Sequence, residues 1–331
     1  MPQSHPARAA GDRLAFFLDL APPRADFLTD VREGFLAQPK SLSPKYFYDR
    51  RGSVIFDEIC RAPEYYVTRT EMALLEAIGP EVRTLTGPGA KVIEYGSGSS
   101  WKIRTLLNAL EDPQVYVAID ISGDHLLDAA EQIAGDFPRV AVGGVCADFS
   151  QHIDLTDEID RAPGRHLGFF PGSSIGNFTR PHAEAFLTRA AGVIGRGGAM
   201  LLGVDLVKDK GVLERAYNDR AGHTAAFNLN VIARMRNELK LDIAPEDFEH
   251  FAFYNEAEER IEMHLRARRD LAFQVGNTAV TMAAGETLHT ENSHKYTLGG
   301  VQTMARRAGF DPVRSWTDPQ GLFSLHYLAV P

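Results

Sequence analysis

Between Lys91 and Val207, short apolar runs alternate with longer stretches in which apolar residues recur every three or four positions. VIEY, VYVAID (Val115–Asp120), RVAVGGVCAD (Arg139–Asp148), HLGFFPGSSIGNF (His166–Phe178) and AMLLGVDLV (Ala199–Val207) are, or carry, five strands, with helical segments between them. Such alternation predicts parallel strands joined by right-handed crossovers. The near-continuous apolar runs predict a sheet covered on both faces. Upstream, FLTDVREGFLA predicts an amphipathic helix and SVIFDEICR (Ser53–Arg61) a short helix after the turn DRRG. Thr68 and Glu71 have capping-box spacing, T-x-x-E, ahead of the apolar stretch MALLEAI.

The pattern changes after Lys208. LERAYNDRAGHTAAFNLNVIARMRNEL predicts helices, and FEHFAFYNEAEERIEMHLRAR alternates at period two around Ile261, Met263 and Leu265, as half-buried antiparallel strands do. The chain closes with a helix, VQTMARRAGF, and two strands, PVRSWTD and FSLHYLAV. A helix and strand pair closing a parallel sheet match the seven-stranded, Rossmann-like sheet of class I methyltransferases, whose last strand runs antiparallel. The expected fold is therefore α/β, with a second α+β domain. The expected boundaries are 63–207 and 295–331 for the sheet-bearing core, and 1–62 and 208–294 for the second domain.

The 331 residues carry a formal net charge of −9 and no long basic run. This disfavours nucleic acid and anionic membrane surfaces as partners. The densest basic cluster, Arg266–Arg269, reads as a solvated strand edge. Two cysteines, Cys60 and Cys146, make neither a disulfide framework nor a cysteine zinc site. No apolar run reaches the roughly 20 residues of a membrane span, so with the two cysteines a soluble, reducing, cytoplasmic setting is expected; the oligomeric state is not legible, and a monomer is the default expectation.

The chemistry concentrates at KVIEYGSGSS (Lys91–Ser100), a strand followed by a glycine-rich turn. Gly96 and Gly98 let the backbone turn sharply and approach a ligand at the strand ends. Such a turn alone serves S-adenosylmethionine, a dinucleotide, or simple helix packing. Position 100 is Ser, so the third glycine of the dinucleotide fingerprint is absent. The closing strand pair favours S-adenosylmethionine. Asp120 ends the next strand, 22 residues after Gly98, where an acid accepts hydrogen bonds from both ribose hydroxyls. Asp148 follows the third strand, within reach of an adenine amino group, with Phe149 beside it to pack on the ring. Lys102 can pair with the cofactor's carboxylate, and Glu94 can hold its ammonium indirectly.

Taken together, PKYFYDRRGS, PEYYVTRTE, EYGSGSSWK, PGSSIGN, AYND and TENSHKY resemble the histidine N-alpha-methyltransferases of ergothioneine biosynthesis, from about Pro39 to the C-terminus. The resemblance implies S-adenosylmethionine-dependent trimethylation of the α-amine of L-histidine, through its mono- and dimethylated forms, to hercynine. S-adenosylhomocysteine is the implied co-product. Carried onto this chain, it implies that Tyr65 contacts the imidazole and that Asn177 and Tyr217 hold the substrate carboxylate. Glu291 and Ser293 bind the imidazole nitrogens, Tyr48 lies near the amine, and Met263 lines the side-chain pocket. In the cofactor half, Gly96, Lys102, Asp120, Asp148 and Phe149 match the family's positions.

No metal is expected. His289, Glu291 and His294 are spaced i, i+2, i+5, which is not the one-face pair of a zinc helix. The alternatives are an N-methyltransferase for another amino acid such as tryptophan or tyrosine, a non-catalytic sensor of S-adenosylmethionine or an amino acid, and a nicotinamide oxidoreductase.

Overall fold

The computed structural model describes residues 13–20, 24–98, 100–151, 153, 155 and 164–331. These residues divide into two compact units, those within 1–21, 67–207 and 295–331 in one and those within 22–66 and 208–294 in the other. No described helix is long and apolar enough to cross a membrane.

Among the described residues, the first unit is built on eight strands: β1 (Phe16–Asp19), β2 (Lys91–Tyr95), β3 (Val115–Asp120), β4 (Ala141–Cys146), β5 (His166–Phe170), β6 (Ala199–Asp205), β12 (Asp311–Thr317) and β13 (Phe323–Ala329). Their order is β1-β4-β3-β2-β5-β6-β13-β12. The first six run parallel, and β13 is antiparallel to both β6 and β12. The helices α3 (Tyr66–Thr86), α4 (Trp101–Ala109), α5 (Gly123–Asp136), α6 (Arg180–Ile194) and α9 (Leu298–Arg307) accompany it. Ile93, Val117, Ile119, Phe170, Leu202 and Val204 are buried in one apolar cluster with Phe186 and Leu187 of α6 and Val301 of α9.

The sheet has one strand more than the seven expected. β1 lies in the N-terminal stretch expected in the second domain, yet it pairs with β4. Two glycines make room for it. A Cβ on Gly143 would lie 2.2 Å from the ring of Phe16, and one on Gly144 would lie 2.8 Å from that of Phe17. A four-residue edge strand is too short to announce itself by periodicity. The capping-box expectation also fails. α3 begins at Tyr66, so Thr68 and Glu71 lie inside the helix.

The second unit contains α1 (Arg24–Leu36), α2 (Arg50–Arg61), α7 (Lys210–Tyr217) and α8 (His223–Leu239), with an antiparallel sheet of β7 (Phe248–Asn255), β8 (Arg260–Ala267) and β11 (Thr287–His294) in the order β11-β8-β7. A separate hairpin joins β9 (Leu271–Val275) to β10 (Thr278–Met282). The turn DRRG starts α2 because Asp49 accepts a 2.7 Å hydrogen bond from the Gly52 amide. A side chain at Gly52 would collide with the Phe47 carbonyl, 1.7 Å from its Cβ. Asn230 of α8 donates to the same Asp49 carboxylate at 2.8 Å, fixing α2 on α8.

Candidate active site

In the first unit the candidate residues gather at the carboxyl end of β2. Glu94 is buried and accepts a 2.5 Å hydrogen bond from the Tyr116 hydroxyl. Burial pushes its carboxyl up to about 8, against the pull of Tyr116 and Lys102. Beyond it the backbone turns through Gly96 at φ +76° and Gly98 at φ +40°, a region that favours glycine. A Cβ at Gly98 would meet nothing within 4 Å, so a ligand can approach this backbone closely. Asp120 accepts from the amides of Gly98 at 3.2 Å and Ser122 at 3.0 Å. Burial raises its carboxyl, and those two amides partly offset the rise.

Asp148 folds back on the amide and hydroxyl of Ser150, at 2.9 and 2.5 Å, in an Asx-type turn. The ring of Phe149 lies 3.4 Å from where a Gly96 Cβ would stand, and packs edge-on against Phe170 and Phe186. Asn177 ends the single turn Ser174–Asn177, which follows Ser173 at φ +57°.

Lys102 has a partner that the sequence did not announce. Its Nζ lies 2.6 Å from Oε2 of Glu71. Glu71 is wholly buried and also accepts from the Gly172 amide through both carboxylate oxygens, at 3.0 and 2.9 Å. A Cβ on Gly203 of β6 would lie 2.1 Å from Glu71 Oε1, so this carboxylate needs a glycine there. Glu71 thus joins the helix after the glycine turn to the loop PGSSIGN. Its T-x-x-E spacing concealed the role.

In the second unit, the Tyr217 hydroxyl at the end of α7 donates to Ser293 Oγ on β11 at 2.7 Å. The rings of Tyr217 and Tyr65 lie 6.2 Å apart, edge to face. The Tyr65 hydroxyl is pushed well up, by burial first and then by its neighbours Tyr217, Cys60, Tyr48 and Glu291. It stays a neutral phenol. Glu291 stands opposite Met263 in the β11–β8 ladder, and both are buried. Tyr48 packs edge-on against Phe56 and Phe227. Tyr48, Tyr65, Tyr217, Met263, Glu291 and Ser293 thus come from five separate stretches of sequence into one neighbourhood.

Glu262, His264 and His289 bring one ligand atom each within 4.8 Å of the others. The two imidazoles stack at 4.5 Å with planes 13° apart, so their in-plane lone pairs run side by side instead of converging. Asn255 and Arg260 hold the Glu262 carboxylate. His289 and Glu291 flank a register shift in β11 and do not share a face.

A parallel sheet closed by an antiparallel strand, with a glycine turn and an acid after its first two core strands, defines a class I methyltransferase. The buried Glu94, the open backbone at Gly98 and the acid Asp120 fit a cofactor carrying both an ammonium group and a ribose. The chain belongs to the family described as histidine-specific, SAM-dependent methyltransferases, which it matches over residues 27–330. It is 42% identical to the histidine N-alpha-methyltransferase of Mycolicibacterium smegmatis, over 89% of this chain and 92% of that one. It is 43% identical to the enzyme of the same name from Mycobacterium tuberculosis, over 91% and 94%. Ergothioneine biosynthesis protein 1 of Neurospora crassa shares 30% identity over 88% of this chain and 33% of its own length.

Proposed function

We propose that this chain transfers three methyl groups to the α-amine of L-histidine, giving hercynine on the route to ergothioneine. The observation that carries the reading is the buried cluster of Tyr65, Tyr217, Ser293 and Glu291 against Met263. It offers a carboxylate and a hydroxyl for the two imidazole nitrogens, and neutral phenols for orientation. Glu291 accepts the ring N–H, and Ser293 serves the other nitrogen. Tyr217 and Asn177 orient the substrate carboxylate, Tyr65 packs on the imidazole, and Tyr48 lies toward the amine.

When bound, S-adenosylmethionine supplies the electrophilic methyl group, and positioning dominates the catalysis. The amine attacks only when neutral. It sheds a proton before each of the three transfers, and the third attack, by the neutral tertiary amine, leaves a fixed cation. A free α-amine titrates near ~8, so solvent accepts these protons and the chain needs no strong base. Phenol and amide groups orient the substrate without adding charge that would hold the amine protonated. On the cofactor side, Glu94 would hold the ammonium indirectly, Asp120 the ribose, Asp148 and Phe149 the adenine, and Lys102 the carboxylate. The reading takes the enzyme to be a cytoplasmic monomer, which gel filtration tests.

Mass spectrometry of the purified protein with S-adenosylmethionine and the twenty amino acids tests the activity. One, two and three added methyl groups on histidine alone are expected. Trimethylation of a different amino acid would overturn the pocket assignment. Cofactor binding without any methylation would overturn the catalytic reading in favour of a sensor.

A further inference from the structure

β11 contains a bulge at the residue before Glu291. His289 lies opposite His264 and Glu291 opposite Met263, so Thr290 has no counterpart on β8. Side chains alternate along a strand, and one extra residue exchanges the faces of everything that follows. In unbroken register Glu291 would stand opposite Glu262, on the face of the His264–His289 stack. Two carboxylates directly opposite each other repel. The bulge instead turns Glu291 and Ser293 onto the face of Met263 and Ile261.

The bulge is held from outside the sheet. The Thr290 hydroxyl lies 2.8 Å from Asn228 Oδ1 on α8 and 3.0 Å from the Met263 carbonyl. Asn228 is wholly buried, and its amide nitrogen makes two further bonds. One goes to the His264 carbonyl at 3.0 Å and one to His250 Nδ1 at 2.9 Å. With Nδ1 accepting, His250 carries its proton on Nε2 and donates it to the Tyr217 carbonyl at 2.9 Å. A single asparagine, using both amide protons and its oxygen, therefore connects the end of α7, which bears Tyr217, to the kink that bears Glu291.

We propose that Asn228 and Thr290, with His250, are positioning residues that set specificity for the imidazole by holding the β11 bulge in the register that delivers Glu291. This rests on the assignment of Glu291 to the imidazole given above. The network acts through Glu291 and Tyr217. Loosening it should cost the enzyme its discrimination for a ring that donates a hydrogen bond, and should leave cofactor binding alone.

The test is calorimetric, on the full-length enzyme loaded with S-adenosylhomocysteine. It measures the Kd of L-histidine and of 3-(2-thienyl)-L-alanine, which has a similar ring but no N–H. Thr290→Val keeps the shape of the residue and removes the hydroxyl. It should weaken histidine about tenfold, the loss of one buried hydrogen bond's worth of ordering, and move the thienyl ligand and S-adenosylhomocysteine less than about twofold. Thr290→Ser, which keeps the hydroxyl, should restore histidine binding. Thr290→Ala, which adds no new contact, carries the same expectation as the valine variant. In a Glu291→Ala background, Thr290→Val should cause no further loss, because the two residues act as one unit. Equal weakening of histidine and the thienyl ligand would reduce Thr290 to a structural role and overturn the inference. So would unchanged histidine binding in Thr290→Val while Glu291→Ala impairs it. Unchanged binding in Glu291→Ala would overturn the assignment beneath the inference, and both would fall.

Discussion

If Glu94 holds the cofactor's ammonium as proposed, cofactor binding should release a proton. The Glu94 carboxyl is pushed up to about 8 by burial at the end of β2, so at pH 7 about one-tenth of the molecules carry it ionised. The cofactor's α-amine is protonated below ~8, and an ammonium held near Glu94 favours the carboxylate. Binding at pH 6.5 should therefore expel nearly one proton. Affinity should rise about tenfold per pH unit between about 6 and 7.5. Above about 8 the gain ends, because the carboxyl is already ionised and the ligand amine begins to lose its charge. Folding without ligand runs the other way. The folded chain holds this proton more tightly than an unfolded chain titrating near 4.5. The resulting stability is fully present below that value and is lost as pH rises through about 8, a difference on the order of 4–5 kcal/mol. Titration calorimetry with S-adenosylhomocysteine at pH 6.5, in two buffers of different ionisation enthalpy, counts the proton directly. Glu94→Gln should bind more weakly by about tenfold or more, release no proton through this group, and lose the steep pH dependence. A flat affinity from pH 6 to 7.5 with no proton release in the unmodified enzyme would refute the reasoning.

Three further outcomes follow from particular contacts. Tyr217→Phe removes the 2.7 Å bond to Ser293 and should raise the KM for histidine about tenfold, with the Kd for S-adenosylhomocysteine unchanged in calorimetry. Lys295 and Asp205 form a 2.8 Å ion pair with neither side chain exposed. Lys295→Met should therefore cost about 3–5 kcal/mol of stability by stripping a buried carboxylate of its cation, read as a fall in the denaturant midpoint that the added Asp205→Asn change partly recovers. Gly143→Ala places a Cβ 2.2 Å from the Phe16 ring. It should unseat β1 from β4, seen as faster amide exchange over Phe16–Asp19 with cofactor affinity retained.

The alternation of apolar runs and the closing strand pair fall where the sequence placed them, because strands buried on both faces and joined by helices leave a strong local signature. Gly96, Gly98 and Asp120 were legible for a similar reason. A turn at φ +76° and an acid at the end of the following strand are local requirements. Motif resemblance named the second unit's cluster without any geometry, since Tyr65, Tyr217 and Glu291 lie far apart along the chain. The capping-box spacing of Thr68 and Glu71 misled, because the same residues that cap a helix start can sit within one and turn a carboxylate into the core.

By itself, then, the sequence determined the class of sheet, the place of the glycine turn and the residue types able to hold a cofactor and an imidazole. The tertiary structure alone decided which carboxylate meets which cation, as with Glu71 and Lys102. It also decided that two glycines of β4 admit an eighth strand, and that one unpaired residue turns Glu291 away from Glu262 and toward Met263. Local periodicity reports which residues prefer burial. Register, charge pairing and close backbone approach depend on partners distant in the chain, so only the folded arrangement specifies them.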